Sequence, residues 1–579
     1  MKVLLTAINA KYIHSALAPW YLWASCKDYF DDIEVKEFSI NENLEDILGN
    51  IYFKKCDVVA FSCYIWNIEH VLKTSANLKK IAPDIKIVLG GPEVSHNAEG
   101  ILNNNKYIDY IISGEGEFSF RQLLQFFEHK NINIDDIKGI AYRKNKKVVS
   151  GEEPALIENL DDIPTVYTKE MIESVKDKII YYESSRGCPF SCSYCISSTF
   201  KGVRYFSMDR VKKELKTLLD EEVKLVKFVD RTFNCNKKRV MEIFKFVIEN
   251  SVNTCFHFEA AGDLFDSDML ELLSKAPEGI IQFEIGVQST NEPTLQEIDR
   301  RTNTEKVFYY AKKLIDLGNI HVHLDLIAGL PYENYSSFKN SFDEVYNLKP
   351  HKLQLGFLKM LKGSEIRKNS ESHHYLYREY PPYEVLQNKY LSFEEIFKLK
   401  KIEKLVDRYY NSGRFCKSVD YIIKNYFSSP FEFYEDLASF YEKEGYFNRS
   451  ISSRELYTIL LKFIDVLSID KEIISELMKF DFLTSHKNTN IPEGIEKIHM
   501  PKLRGKVSEF LKNKENVNKY LPEYLGASVK KIIKNIHFEP FRLDVTNKFE
   551  RKENLEIILF NYNKKSKVLG LFEFKKIDL

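Results

Sequence analysis

The residues with the clearest chemical potential are three cysteines in one short run, Cys188-Pro-Phe-Ser-Cys192-Ser-Tyr-Cys195. They follow a β-rich stretch, 178–184, and the turn Ser185-Arg186-Gly187. Three thiolates this close together can reach three irons of one cubane. A fourth cysteine would close such a cluster, whereas three leave one iron open to a small chelating molecule. The competing arrangement is a zinc ion that also uses Cys235. Structural zinc ligands come in close pairs, and Cys235 stands alone, 40 residues after Cys195.

Other chemically equipped residues sit at the ends of apolar runs. Asp230 closes one, in Phe228-Val229-Asp230-Arg231-Thr232-Phe233-Asn234. Glu284 lies inside another, Phe283-Glu284-Ile285-Gly286-Val287-Gln288-Ser289, where an acid is expensive unless paired. Arg300-Arg301-Thr302 and His323-Leu-Asp325-Leu-Ile-Ala-Gly329-Leu330-Pro331 follow. The adjacent His373 and His374 point different ways on any regular element and are expected at the surface.

The elements that must position these groups are legible as alternating β and α patterns. Residues 1–135 hold apolar runs at 2–8, 57–64, 85–91 and 108–114 with helical stretches between them, which implies a parallel sheet covered on both faces. Residues 136–175 read as a linker containing one hairpin, 139–151. Residues 176–375 repeat the alternation six times, with strands at 178–184, 225–230, 255–260, 280–286, 321–329 and 352–358, a pattern for a partial barrel with ligands at the carboxyl ends of its strands. Residues 376–579 are mostly helical in pattern up to about 535 and end in two strands around a turn, 554–574. Their aromatic density, from Tyr409 and Tyr410 through Tyr426 and Phe427 to Phe431, Phe433 and Tyr434, is expected to pack a helical core rather than line a channel.

Placed after the first strand of a βα array, C-x3-C-x2-C resembles the signature of the radical S-adenosylmethionine superfamily, over about residues 176–360 and including Tyr194 before the last cysteine. That resemblance implies a 4Fe-4S cluster on Cys188, Cys192 and Cys195, with the amino and carboxylate groups of S-adenosylmethionine on the open iron. One electron, from a donor such as flavodoxin or ferredoxin, then cleaves the sulfonium, and the resulting 5′-deoxyadenosyl radical abstracts hydrogen from a substrate that the sequence does not identify. By the same resemblance Asp230 meets the methionine end and accepts from its ammonium. Glu284 and Gln288, in a close match to E-x-G-x-Q-S, face the cleft. Arg300 pairs with a carboxylate, and Gly329 lets adenine approach the backbone. Asp230 and Glu284 are thus the catalytic candidates, and with Tyr194, Gln288, Arg300 and Gly329 they make up the S-adenosylmethionine-binding set.

The amino-terminal third resembles the cobalamin-binding domains that precede many such enzymes. Gly90-Gly91-Pro92-Glu93 follows one strand, Ser113-Gly114-Glu115-Gly116-Glu117 the next, and Phe61-Ser62-Cys63-Tyr64-Ile65-Trp66-Asn67 fits the third strand and its loop. Asn9, Tyr12, Ser62, Gly90, Gly91, Gly114, Glu115 and Gly116 are the cobalamin contacts it implies, with Ser62 on the nucleotide tail. Domains that ligate cobalt through protein carry D-x-H-x-x-G after the first strand. Here the loop is Asn9-Ala-Lys11-Tyr12-Ile-His14-Ser15-Ala16, with no such Asp or Gly, which favours a lower cobalt face without a protein ligand and leaves His14 as the alternative. The carboxyl-terminal region resembles an extension carried by some cobalamin-type radical enzymes, expected to cap the barrel. The fold class is therefore α/β: a Rossmann-like domain, a partial (β/α)6 TIM-like barrel, and a mostly α domain ending in a β-hairpin.

Bulk properties narrow the partners. Lys+Arg and Asp+Glu are both 84, so no global field attracts nucleic acid, and a nucleic-acid-modifying role is disfavoured. No run of about 18 apolar residues offers a membrane span, and Asn9, Lys11 and His14 interrupt the start as a signal peptide, which points to the cytoplasm. Nine cysteines in loose spacing favour metal ligation over a disulfide framework. The leading expectation is cobalamin-dependent methyl transfer to an unactivated carbon. Ring formation or rearrangement would use the same parts. A methylthiotransferase would need amino-terminal cysteines at strand-end loops, where Cys26, Cys56 and Cys63 do not sit. An iron–sulfur sensor or electron carrier would have no use for the cleft residues Asp230, Glu284 and Gln288.

Overall fold

The computed structural model describes residues 1–199, 202–487, 490–547 and 549–579. In the amino-terminal body, β1 (Val3–Asn9), β2 (Ile33–Ser39), β3 (Val58–Ser62), β4 (Lys86–Gly90), β5 (Tyr110–Ile112), β6 (Ile140–Lys144) and β7 (Lys147–Ser150) form one sheet in the order β2-β1-β3-β4-β5-β6-β7. The first five strands are parallel, and β6 returns antiparallel to β5. β1 is buried along its whole length, as its apolar run requires of a strand covered on both faces. Two features depart from the sequence reading. β2 is half-buried and polar (Ile-Glu-Val-Lys-Glu-Phe-Ser), the composition of an edge strand that an apolar-run search passes over. The hairpin expected in the linker belongs to this sheet, because β5 would otherwise leave an open edge.

The central body is a second parallel sheet. It comprises β8 (Ile180–Tyr182), then, after a hairpin of β9 (Ser185–Cys188) and β10 (Gly202–Tyr205), β11 (Leu225–Phe228), β12 (Cys255–Ala260), β13 (Ile281–Gln288), β14 (His321–Ala328) and β15 (Lys352–Phe357). Strand order follows chain order, β15-β14-β13-β12-β11-β8, and every pair is parallel, which makes the expected six-unit partial barrel. Period-2 alternation sorts the faces. Ile281, Phe283, Ile285 and Val287 of β13 are buried outward, and Phe283 meets Phe244 of the helix Lys237–Asn250 edge to face at 5.7 Å. Gln282, Glu284, Gly286 and Gln288 face the lumen.

The carboxyl-terminal region starts with a small ribbon, β16 (Leu376–Tyr377) and β17 (Val385–Gln387), and continues through helices. It ends in a three-stranded antiparallel sheet, β18 (Ile536–Leu543), β19 (Arg551–Lys565) and β20 (Phe572–Ile577). The sequence reading had two of these strands; Pro540 and the charges of β18 obscured the third. Tyr409, Phe431, Phe433 and Tyr434 are buried within the helical layer, with Tyr409 and Tyr441 sharing a hydrogen bond at 2.6 Å, as expected for core aromatics.

Beyond β14, Glu333 is fully buried and accepts from Ser289 at 2.5 Å and Ser341 at 3.1 Å, tying the ends of β13 and β14 to the helix Tyr335–Asn347. Burial pushes its carboxyl up to about 7, against the pull of those two hydroxyls. The folded state therefore holds this proton more tightly than the unfolded chain. The stability it contributes is complete below the ordinary carboxyl value and is lost as pH rises through about 7. Between about pH 5 and pH 8 the wild type is expected to lose about 2–3 kcal/mol relative to Glu333→Gln, measured by denaturant unfolding at several pH values. Parallel pH profiles for the two proteins would contradict this.

Candidate functional site

The carboxyl ends of the two parallel sheets face each other across a cavity of about 1350 Å³. Asn9, Ser62, Gly90, Gly91, Gly114, Glu115 and Gly116 line it from the amino-terminal side, and Tyr181, Glu183, Lys227, Val229, Arg231 and Glu259 from the barrel side. Gly187 and Ile196, next to the outer two cysteines, also line it, so the cysteine loop borders the space.

Cys188 ends β9 and Cys192 and Cys195 follow on the loop after it, none of the three in a disulfide. Cys188 Sγ lies 3.4 Å from Thr232 Oγ1, and Cys192 is buried with its sulfur 3.9 Å from Arg300 Nη1. Burial pushes the Cys192 thiol up; Arg300 pulls it down, while the neighbouring Cys195 and Cys188 push it up further. Three sulfurs on one short loop, next to one guanidinium, suit a polynuclear cation that shares their charge. Backbone bonds hold the loop from two sides: Ser193 N donates to Ile298 O and Ser193 O accepts from Ile366 N, both at 2.9 Å. Cys235, the alternative zinc ligand, instead meets the Tyr205 hydroxyl at 3.3 Å.

Three residues of the expected S-adenosylmethionine set, Tyr194, Gln288 and Arg300, gather at this loop. Arg300 donates to Tyr194 Oη at 3.2 Å and also to Gly286 O. A register shift between Gly286 and Gln288 breaks the β13–β14 pairing, and Gln288 takes a left-handed φ of 72°, which folds its amide back over Gly286. Gln288 Oε1 and Arg300 Nε are buried without a hydrogen-bond partner, the signature of groups arranged for something not made of protein. Glu284 lies one layer deeper in the lumen. Its Oε2 accepts from His257 at 3.0 Å and Lys227 at 3.1 Å, and against the push of burial these neighbours hold its carboxyl well below the usual range.

Two expected contacts are otherwise engaged. Asp230 is 1% exposed, and both its oxygens are filled by the Ser184 amide at 2.9 Å and by the hydroxyls of Ser184 and Ser185. Its carboxylate thus braces the strand end before the cysteine loop. Gly329 has φ 94°, but a Cβ there would point at Leu358 and Val385, and its carbonyl accepts from Tyr375 and Asn388 at 2.9 Å. The glycine serves a turn that the carboxyl-terminal region covers, a packing invisible in a local motif.

On the cobalamin side, Gly91 has φ 106°, and a Cβ would fall 2.6 Å from Cys63 O. Ser62 Oγ is buried and unpartnered at the cavity wall. A glycine cradle and an orphaned hydroxyl fit a ligand held along the strand ends. Asn9 faces the same space, but its amide nitrogen donates to His14 O and Glu37 Oε2, both at 2.9 Å, so it shapes the loop. Tyr12 is 77% exposed, lies beside Lys178 and is outside the cavity lining. Gly114 is required because a Cβ would strike Pro154 at 2.5 Å. Glu115 accepts from Arg204 at 2.6 and 3.0 Å and from the Ile157 amide at 2.7 Å, which clamps the two bodies together.

The sequence reading missed the joint on which these groups hang. Arg186, two residues before Cys188, donates to Glu117 at 2.5 Å and Glu183 at 2.9 Å and lies 3.5 Å from Glu115. Tyr64 and Trp66, stacked at 4.5 Å on the cavity wall, were also unassigned. His373, expected at the surface, is buried between Tyr390 at 3.2 Å and Glu297 at 2.9 Å. Only the docking of the carboxyl-terminal ribbon on the barrel mouth covers it.

Comparison with known proteins assigns each body. Residues 3–124 match the B12 binding domain, 182–345 the radical SAM superfamily, and 371–560 a protein family of unknown function, DUF4080. The chain is 26% identical over 316 residues to the cobalamin-dependent radical SAM methyltransferase TokK of Streptomyces tokunonensis, covering 51% of this chain and 45% of that one. It is 25% identical over 320 residues to the 2-(S-pantetheinyl)-carbapenam-3-carboxylate methyltransferase of Streptantibioticus cattleyicolor, with the same shares of each chain. It thus spans about half the length of these curated relatives. The cobalamin-dependent S-adenosylmethionine radical enzyme OxsB shares the fold, with a TM-score of 0.59 at 15% identity over 83% of this chain and 78% of that one. The chain thus carries a radical SAM core, residues 182–345, between a B12-binding domain and a DUF4080 region.

Proposed function

We propose that the protein is a cobalamin-dependent radical S-adenosylmethionine enzyme that transfers a methyl group to an unactivated carbon. The observation that carries this reading is the single cavity with the cysteine loop on one wall and the glycine-bearing strand ends on the opposite wall. A one-electron cofactor and a methyl carrier have to address the same substrate, and this geometry brings both walls to one space. The kinship with methyltransferases adds support, and the strand-end groups argue against a sensor or carrier, which needs no such space.

When bound, the 4Fe-4S cluster with S-adenosylmethionine supplies a carbon radical and cobalamin supplies the methyl group. This chain's residues bind, orient and shield. Cys188, Cys192 and Cys195 hold the cluster. Arg300 and Gln288 orient S-adenosylmethionine through their unfilled polar atoms, Tyr194 holds Arg300, and Asp230 acts at one remove by bracing Ser184 and Ser185. Ser62, Gly90 and Gly91 hold cobalamin, while Glu115 with Arg204 and Arg186 keeps the two walls in register and water out. The electron comes from a small donor of the flavodoxin or ferredoxin class. No described helix is long and apolar enough to cross a membrane, in keeping with the proposed cytoplasmic setting.

Anaerobically reconstituted protein given dithionite and S-adenosylmethionine is expected to release 5′-deoxyadenosine, and Cys192→Ala to lose both that product and the cluster's absorption. A variant that keeps its iron, or a wild type that binds S-adenosylmethionine with its cluster intact and releases nothing, would refute the radical step. Ser62→Ala is expected to weaken cobalamin retention by about 3–10-fold, the value of one neutral hydrogen bond, while the cobalamin-free protein keeps or gains thermal stability because an orphaned hydroxyl is gone. Unchanged retention, read by equilibrium dialysis and the visible spectrum, would remove cobalamin from this wall.

A further inference from the structure

The lumen of the barrel is polar where parallel barrels are ordinarily filled by branched apolar side chains. Within it, β13 and β14 place Glu284 directly beside His323, and Asp325 follows two residues on, on the same face. One ligand atom from each of the three lies within 4.8 Å of the others. His323 is only 6% exposed, and its Nε2 sits 2.9 Å from Asp325 Oδ1. Both atoms are buried, and neither has a hydrogen-bond partner. Two donor atoms 2.9 Å apart are spaced like adjacent ligands on one ion, because octahedral bonds of about 2.1 Å at a right angle put donors about 3.0 Å apart.

Charge points the same way. Glu259, Glu284 and Asp325 share the lumen, and among the described residues the only fixed cation within 4 Å of them is Lys227, at 3.1 Å from Glu284 and 3.8 Å from Glu259. His257 and Lys227 both take Oε2 of Glu284, which holds that carboxylate in place. We infer that Glu284, His323 and Asp325 form a binding site for a divalent first-row transition ion, of the Mn2+, Fe2+ or Zn2+ class. The imidazole nitrogen selects against Mg2+ and Ca2+, which take oxygen ligands. Three protein ligands leave positions open, and Lys227 and Glu259 next to the site also line the large cavity, so the open side neighbours the substrate space.

The test uses protein whose cluster and cobalamin are already loaded, because empty cysteines would themselves bind metal. Mn2+ is titrated in anaerobically, and free Mn2+ is read from its six-line magnetic-resonance spectrum. One equivalent is expected to disappear in the wild type, with affinity falling by on the order of 100-fold in His323→Ala and in Asp325→Asn. The cluster's absorption, measured in the same samples, shows that each variant is folded and reports on the three cysteines independently. Mn2+ and Zn2+ left equally free by wild type and variants, or uptake that both variants retain, would overturn the site.

Discussion

The Arg186 guanidinium, buried beside Glu117, Glu183 and Glu115, joins the halves of the molecule. Glu117 opens the helix after β5 and Glu115 lies in the turn before it, Glu183 follows β8, and Arg186 lies two residues before the first cysteine. A charge so far out of water is tolerable only when its partners surround it, and removal of one partner from such a pair costs about 3–5 kcal/mol. Burial pushes the Glu183 carboxyl up, Arg186 pulls it down, and the neighbouring carboxylates push it up further. Every distance across the cavity follows from this joint, because it sets where one sheet's strand ends lie against the other's.

A parallel strand supplies positioned groups only at its carboxyl end and on alternate residues. Both limits are visible here. The amino-terminal sheet offers backbone and small side chains, Ser62, Gly90 and Gly91, which suits a large ligand lying flat. The barrel offers long polar side chains, Tyr181, Lys227, His257, Glu259 and Glu284, directed into its lumen. The apolar alternates Phe256, Phe258, Phe283 and Ile285 hold the helices outside. One wall is therefore a cradle and the other a source of directed chemistry.

The segment that follows β15 and runs into the carboxyl-terminal ribbon is more than a cap. Ile366 holds the cysteine loop by its backbone, Tyr383 donates to Glu93 at 2.7 Å, and Lys362 lies 3.3 Å from the same carboxylate. A segment that touches the cluster loop at one point and the amino-terminal domain at another stiffens both walls at once. This physical role also accounts for a helical layer whose aromatics pack inward and leave the cavity to other elements.

How much was legible in advance follows from the range of each interaction. Cysteine spacing, apolar runs and the glycines after strands are local, so the three bodies, the six barrel strands and the cysteine loop could be read from residue order. β2 and β18 escaped because edge strands carry polar residues, and an apolar-run search finds only strands buried on both faces. The roles of Asp230, Gly329, Glu115 and His373 rested on partners 46, 59, 89 and 76 residues away. The sequence alone determined which chemical groups stand at which strand ends, because strand periodicity is a property of neighbours. Only the tertiary structure decided which of those groups remain free to bind a ligand, because that depends on which polar atoms other segments have already satisfied.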